Sequence, residues 1–151
     1  MQLSEVCVLD VACCSRQTTV REAARLMRKH HIGDLVVVDD PDGARSPAGI
    51  ITDRDIVIEV LGKDLDATAT LVGDVMVKYS NLVMARDTEE VDAAAERMLA
   101  HGVRRLPVVD RAGSLVGVVT LDDLLKLHAR QAGVLADIAT KQRSHEQRSR
   151  R

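Results

Sequence analysis

The sequence predicts an α/β fold built from two pseudo-symmetric repeats, each running β-α-β-β-α. Three observations predict it. The stretch from Thr19 to Asp55 is written a second time between Glu90 and Asp123. Each copy sets a helical apolar stripe before two short, apolar strand runs. Each copy then closes on the same polar signature, Thr-x-x-Asp, at Thr52/Asp55 and Thr120/Asp123. A repeat of this length means two supersecondary units sharing one core.

The register is tight. Val20, Met27, His30 and Asp39 recur 71 positions later as Val91, Met98, His101 and Asp110. From Gly49 and Thr52 to Gly117 and Thr120 the interval is 68. The first copy therefore carries three extra residues in the loop 40–47, where Gly and Pro mark a surface connection that tolerates insertion. The copies also begin alike: Leu3-Ser4-Glu5-Val6-Cys7 parallels Val72-Gly73-Asp74-Val75-Met76.

In chain order, Val20, Ala23, Ala24 and Met27 have helical spacing, and Thr19 with Glu22 forms a capping-box signature. His31 holds the helix-stop position that Gly102 holds in the second copy; His tolerates positive φ better than most residues. Leu35 to Asp39 and Ala48 to Thr52 are strands. A helix from about Arg54 to Leu61 follows, with Gly62 as its stop. The second copy repeats the stripe at Val91, Ala94, Ala95 and Met98, behind an acidic start that suits a helix N-terminus. Strands follow at Leu106 to Asp110 and Leu115 to Thr120. The last helix begins at Leu121 and extends its stripe through Leu124, Leu127, Gln131, Val134, Leu135 and Ile138. Repeat 1 thus spans 1–62, a linker 63–72, and repeat 2 with its longer helix 73–140. Residues 141–151 carry Lys141, Arg143, Arg148, Arg150 and Arg151 against Glu146, and are expected to be a solvated, disordered tail.

Composition narrows the function. Hydrophobic residues make up 46% of the 151, enough for a core of one compact module. There is no Phe or Trp and one Tyr, Tyr79, so the core must be aliphatic and stacking platforms for single-stranded nucleic acid are missing. A net charge of -2 argues against a large phosphate-backbone surface. No apolar run is long enough for a membrane span, and no charged-then-apolar leader opens the chain, so a cytoplasmic protein is expected. Cys7, Cys13 and Cys14 lack metal-ligand spacing and are expected to be reduced thiols. His30 and His101 fall at helix C-terminal ends, where the dipole favours a cation, rather than in a metal set. His128 and His145 have no partner at ligand spacing. No nucleophile–base arrangement and no Walker-type loop is visible, so no enzyme, no metal and no catalytic cofactor is expected.

The signature carries the functional chemistry. In Gly49-Ile50-Ile51-Thr52-Asp53-Arg54-Asp55 an apolar strand ends at a hydroxyl, and a carboxylate follows on the first helical turn. A carboxylate there can accept hydrogen bonds from the vicinal hydroxyls of a ribose, and the helix N-terminus suits a phosphate. The plainer alternative is that Thr and Asp cap a helix. Two copies at matched places favour a nucleotide site.

The whole pattern resembles a tandem pair of cystathionine-β-synthase (CBS) domains over about residues 3 to 130. The residues that carry the resemblance are the entry helices with Ala-Ala-x-x-Met, His30-His31-Ile32-Gly33 and His101-Gly102-Val103. Leu106-Pro107-Val108-Val109-Asp110 and the two signature strands complete it. The resemblance implies two repeats packed sheet to sheet into one globular module, with clefts between them for an adenosine-containing ligand. It places ribose contacts at Thr52 and Asp55, and at Thr120 and Asp123. It places adenine-lining positions near Cys13, Ile32, Leu35 and Val36, and near Met84, Val103, Leu106 and Pro107. Arg104 and Arg105 would face the phosphate of the Thr52/Asp55 site together with Arg54. Gly33 and Asp34 would face the Thr120/Asp123 site, whose signature has Leu121 and Asp122 inside it and no arginine. The first site should therefore take the more anionic nucleotide, and the second should be weak, empty or suited to a less charged ligand.

The expected protein is a stand-alone cytoplasmic regulatory module, a homodimer through the helices after each signature. It would sense AMP, ADP or ATP, or alternatively S-adenosylmethionine or NAD, on behalf of an unidentified partner protein. A dimerising scaffold with unoccupied clefts is the competing expectation.

Overall fold

Each repeat's leading segment packs into the other repeat's core. The computed structural model describes residues 1–40, 42–78 and 81–149; Pro41, Tyr79, Ser80, Arg150 and Arg151, part of the loop, composition and tail expectations above, lie outside the described residues. Repeat 1 contributes β1 (Cys13–Cys14), α1 (Val20–His30), β2 (Asp34–Asp39), β3 (Ser46–Thr52) and α2 (Asp53–Asp55). A helical turn α3 (Val72–Val75) and β4 (Val77–Lys78) open repeat 2, followed by β5 (Ala85–Arg86), α4 (Val91–His101), β6 (Arg105–Val109), β7 (Leu115–Thr120) and α5 (Leu121–Ser149).

The entry helices form as their sequences dictate. Thr19 caps α1 with Glu22 in a full capping box, and Val20, Ala23 and Met27 are its buried face. Val91, Ala94 and Met98 are buried at the matched positions of α4. Both helices stop on a left-handed residue, His31 at φ 53° and Gly102 at φ 64°. Each sheet pairs its short first strand in parallel and its last in antiparallel, with a bulge at the same place, Val37/Val38 and Val108/Val109.

The exchange of segments repeats bond for bond. The backbone N–H of Leu3 donates to Glu89 O (2.9 Å), and that of Val72 to Thr18 O (2.8 Å). Val91 N–H donates to Met1 O (3.0 Å), and Val20 N–H to Thr70 O (2.9 Å). Leu3 is buried with Val91, Ala94, Met98, Leu106 and Val119 of repeat 2. Val72 and Met76 are buried with Ala23, Met27, Leu35 and Ile51 of repeat 1. The chain then joins the other sheet's edge: β4 pairs with Gly49 and Ile50, and Val8 bridges Val118. Both edges need glycine. A Cβ on Gly49 would lie 2.4 Å from Val77 O, and one on Gly117 would lie 2.9 Å from Val8 O. A third cluster, Val36, Val38, Leu115 and Val118, joins the two sheets face to face.

Two expectations at helix ends need correction. The helix after Thr52 does not stop at Gly62. Its α-turn passes into a π-turn over Ile56–Val60 and a 3₁₀ turn over Leu61–Lys63, and Asp64 is the left-handed residue at φ 52°. The wide π-turn takes up extra residues and moves the end past the glycine. Residues 141–149 are not a disordered tail but the end of α5, a helix of 29 residues. Once a helix is nucleated, each added residue needs only its own bond, and the Lys, Gln, Arg and Glu here are good helix formers. The hydroxyls of Thr140 and Ser149 bond carbonyls four residues back. Among the described residues no helix is long and apolar enough to cross a membrane.

Candidate functional site

Both signatures are capping boxes. Thr52 N–H donates to Asp55 Oδ2 (2.8 Å), and Asp55 N–H donates to Thr52 Oγ1 (3.1 Å). Thr120 N–H donates to Asp123 Oδ2 (2.9 Å), and Asp123 N–H to Thr120 Oγ1 (3.2 Å). The capping role and a ligand role are compatible. The cap uses Oδ2 of each carboxylate, which leaves Oδ1 to accept from a hydroxyl, and it fixes the rotamer that presents it.

Around these boxes lie two clefts between the repeats. The first, about 300 Å³, gathers Thr52, Arg54 and Asp55 from repeat 1 against Val103, Arg104, Arg105 and Pro107 from repeat 2. Ile50, Val77, Leu82 and Val83 complete its apolar wall. The second, about 320 Å³, sets Thr120 and Val118 of repeat 2 against His30, Ile32 and Asp34 of repeat 1. Val8, Asp10, Val11 and Ala12 close it. Both volumes fall at the lower end of small-molecule sites.

The structure thus brings together ten of the expected residues: seven at the first cleft, and Thr120, Ile32 and Asp34 at the second. Asp123 stands behind Thr120, held by its hydrogen bonds. The other expected wall positions fall elsewhere. Leu35 and Leu106 point into the two repeat cores, fully buried, because alternate residues of β2 and β6 face opposite sides of the sheet. Val36 faces the cluster between the sheets, with Cys13 packed against it. Arg45 Nη2 also donates to Cys13 Sγ (3.0 Å). Met84 lines a separate groove, its carbonyl accepting from Arg97 (2.6 Å). The cleft walls use the residues just before these, Val11 and Ala12 in place of Cys13, and Leu82 and Val83 in place of Met84. The shift is the same in both repeats. Sequence reasoning also missed Val8 and Val77, because they arrive from the exchanged edge segments. Their only signal was the glycine each must pass, Gly117 and Gly49.

Electrostatics separate the clefts. The first is lined by three arginines and Asp55. Arg104 Nη2 lies 3.8 Å from Asp122 Oδ1, both well exposed. The second is lined by Asp10, Asp34 and His30. Burial pushes the Asp34 carboxyl above its ordinary value; Arg105 opposes that shift and Asp53 adds to it. In the matched register Asp122 stands where repeat 1 has Arg54. Burial also pushes the Cys14 thiol up to about 12, and all three cysteines are free. Among the described residues no three His, Cys, Asp or Glu side chains group as a metal site.

Known proteins share this fold. The CBS domain family model matches twice, over residues 3–62 and 72–130. An uncharacterised protein of Methanopyrus kandleri is 36% identical over 127 residues; the match takes in 84% of this chain but only 62% of that relative. Among solved structures, a CBS domain protein from Pyrobaculum aerophilum complexed with AMP is 26% identical, with a TM-score of 0.73, 85% of this chain covered and 99% of that one. A CBS domain pair in complex with 5′-methylthioadenosine and S-adenosyl-L-methionine is also 26% identical, with a TM-score of 0.75 over 87% of this chain and 98% of that one. With the domain matched twice along a fold whose halves exchange their leading segments, the chain belongs to the CBS domain family and contains a tandem pair.

Proposed function

We propose that the protein is a non-catalytic regulatory module that binds an adenosine nucleotide in the cleft at Thr52 and Asp55 and reports it to a partner protein. One observation carries this reading: a ribose-grade Thr/Asp pair and three arginines converge on one cleft with an apolar wall. Asp55 accepts from the ribose hydroxyls, and Ile50, Val103 and Pro107 flank the base. Arg54, Arg104 and Arg105 meet the phosphates with charge-assisted hydrogen bonds. AMP, ADP or ATP suits that charge better than S-adenosylmethionine, and NAD remains a candidate. The AMP complex of the Pyrobaculum relative supports the ligand class. The protein would work in the cytoplasm, where its three free thiols stay reduced.

A second reading, a dimerising scaffold, is favoured by a different feature. Val57, Ile58 and Leu61 after the first signature and Leu125 after the second are each about half exposed or more. A homodimer through these faces would cover them, and light scattering at tens of micromolar protein tests it. The decisive experiment for nucleotide binding is a thermal-shift panel of AMP, ADP, ATP, NAD and S-adenosylmethionine, followed by calorimetry on wild type and Asp55→Asn. A ligand at ~100 times its Kd raises stability by ~2.7 kcal/mol. Asp55→Asn keeps an acceptor for the cap and should lose the ligand. A flat panel at millimolar ligand would leave the scaffold.

A further inference from the structure

The two clefts meet at one ion pair. Asp34 and Arg105 hold the same place in the two repeats, 71 positions apart, at the head of β2 and β6. Across the pseudo-symmetric interface they face each other, Arg105 Nη1 lying 3.3 Å from Asp34 Oδ1. Their side chains are 30% and 20% exposed, so solvent screens this pair less than the Arg104–Asp122 pair beside it, at 71% and 70%. Arg105 lines the first cleft and Asp34 the second. Among the described residues Arg105 Nε is buried without a hydrogen-bond partner, so the guanidinium has donor capacity that Asp34 does not satisfy.

The second cleft has its own charge pattern. Asp10 and Asp34 line it, Asp123 stands behind Thr120, and among the described residues no Lys or Arg lines it. His30 is the basic group there. An anion in this cleft would lie against carboxylates, while a cation would gain a partner.

We infer that the Asp34–Arg105 ion pair couples the two clefts by charge: an anion in the first cleft favours a cationic over an anionic 5′ substituent on an adenosine ligand in the second, with Asp34 as the group that discriminates. The inference rests on the adenosine reading of the clefts. With both clefts empty, Arg105 neutralises Asp34. A phosphate in the first cleft draws on the same guanidinium, and Asp34 is left with less of its compensation. A cation in the second cleft restores it; a second anion there is repelled. Linkage makes the effect reciprocal: whatever factor the anion adds to cation binding, the cation adds to anion binding.

Matched probes test this by calorimetry: 5′-amino-5′-deoxyadenosine (an ammonium at neutral pH), adenosine, and AMP, each with and without saturating ADP. The amino compound should bind the second cleft more tightly than adenosine. Saturating ADP should tighten it further, by about 5-fold or more, the lower end of typical coupling, and should weaken AMP at that cleft. In Asp34→Asn both the preference and the coupling should vanish while ADP still binds the first cleft. The double variant Asp34→Arg with Arg105→Asp keeps an ion pair in the reversed sense, and its second cleft should favour AMP over the amino compound. Competition of the amino compound with ADP for a single site overturns the inference. So does equal affinity for the amino compound in wild type and Asp34→Asn. ADP binding with an indifferent second cleft removes this inference alone; failure of every adenosine ligand removes the nucleotide reading as well.

Discussion

Repeat 1 and repeat 2 build the same cap and then diverge. Thr52 and Asp55 start a helix that leaves α geometry after one turn and ends at Asp64. Thr120 and Asp123 start a helix that runs to Ser149. The boxes have nearly equal hydrogen-bond lengths, so the cap does not set the length of the helix behind it. Downstream of Asp55 come the β-branched Ile56, Val57, Ile58 and Val60, which crowd a helix. Downstream of Asp123 come Leu124, Leu125, Lys126 and Leu127, which favour one. The clefts diverge in the same way, with identical Thr/Asp pairs set among arginines in one and among carboxylates in the other. Under the proposed function, the shared geometry would set where a ligand lies, and the unshared residues which ligand it is.

Core truncation gives the largest test of whether the repeats are equivalent. Leu35→Ala and Leu106→Ala remove matched, fully buried side chains, and each should cost about 2–5 kcal/mol in urea unfolding. Because each core contains the other repeat's leading segment, both variants should unfold in one transition. Two separate transitions would break the picture of interlocked halves.

The edge glycines sharpen it. Gly49→Ala and Gly117→Ala should each destabilise by about 1–3 kcal/mol, as overpacking does. Gly49→Ala should be worse, because its Cβ would meet a backbone oxygen at 2.4 Å rather than 2.9 Å. Equal costs would mean that the β4 edge gives way more easily than it stands.

Removing each cap comes next. Thr52→Ala and Thr120→Ala should cost about 1 kcal/mol each. Circular dichroism should show the greater helix loss in Thr120→Ala, since only that cap begins a long helix. An equal loss would put the stability of α5 elsewhere than at its start.

The smallest effect at neutral pH is confined to repeat 1. Cys14 is buried in its core, and the matched residue of repeat 2 is Ala85. The thiol is raised from 9.0 to about 12. Its contribution to stability is therefore fully present below pH 9 and is lost as pH rises towards 12. Wild type should lose stability across that alkaline window more steeply than Cys14→Ala, with no pH-linked difference near pH 7. Parallel alkaline titrations of the two proteins check this.

Much of this is legible in local sequence. Of the predicted stripes, Val20, Ala23 and Met27 of α1 and Val91, Ala94 and Met98 of α4 are buried, while Ala24 is exposed and Ala95 half-buried. His31 and Gly102 take left-handed backbone at the predicted stops, and the Thr-x-x-Asp pairs fall at strand-to-helix turns as their spacing requires. The assignments that fail do so for physical reasons. The resemblance puts Leu35 and Leu106 at the ligand, whereas strand alternation turns them to the core. Cys13 and Met84 are one step too far along the wall. The end of α5 is helical where composition suggests a frayed tail, because a basic, polar composition says what cannot be buried, not what cannot be helical.

Taken alone, the sequence determined the two-repeat α/β fold, the entry helices and their caps, and the charge around each signature. These depend on neighbours within a few residues, where periodicity and capping chemistry act. Only the tertiary structure decided that Leu3 packs in repeat 2 and Val72 in repeat 1, that Val8 and Val77 wall the clefts, and that Asp34 meets Arg105. Two repeats with nearly the same local pattern offer each leading segment two chemically similar cores. The choice between them rests on long-range packing, and no pattern within a few residues encodes it.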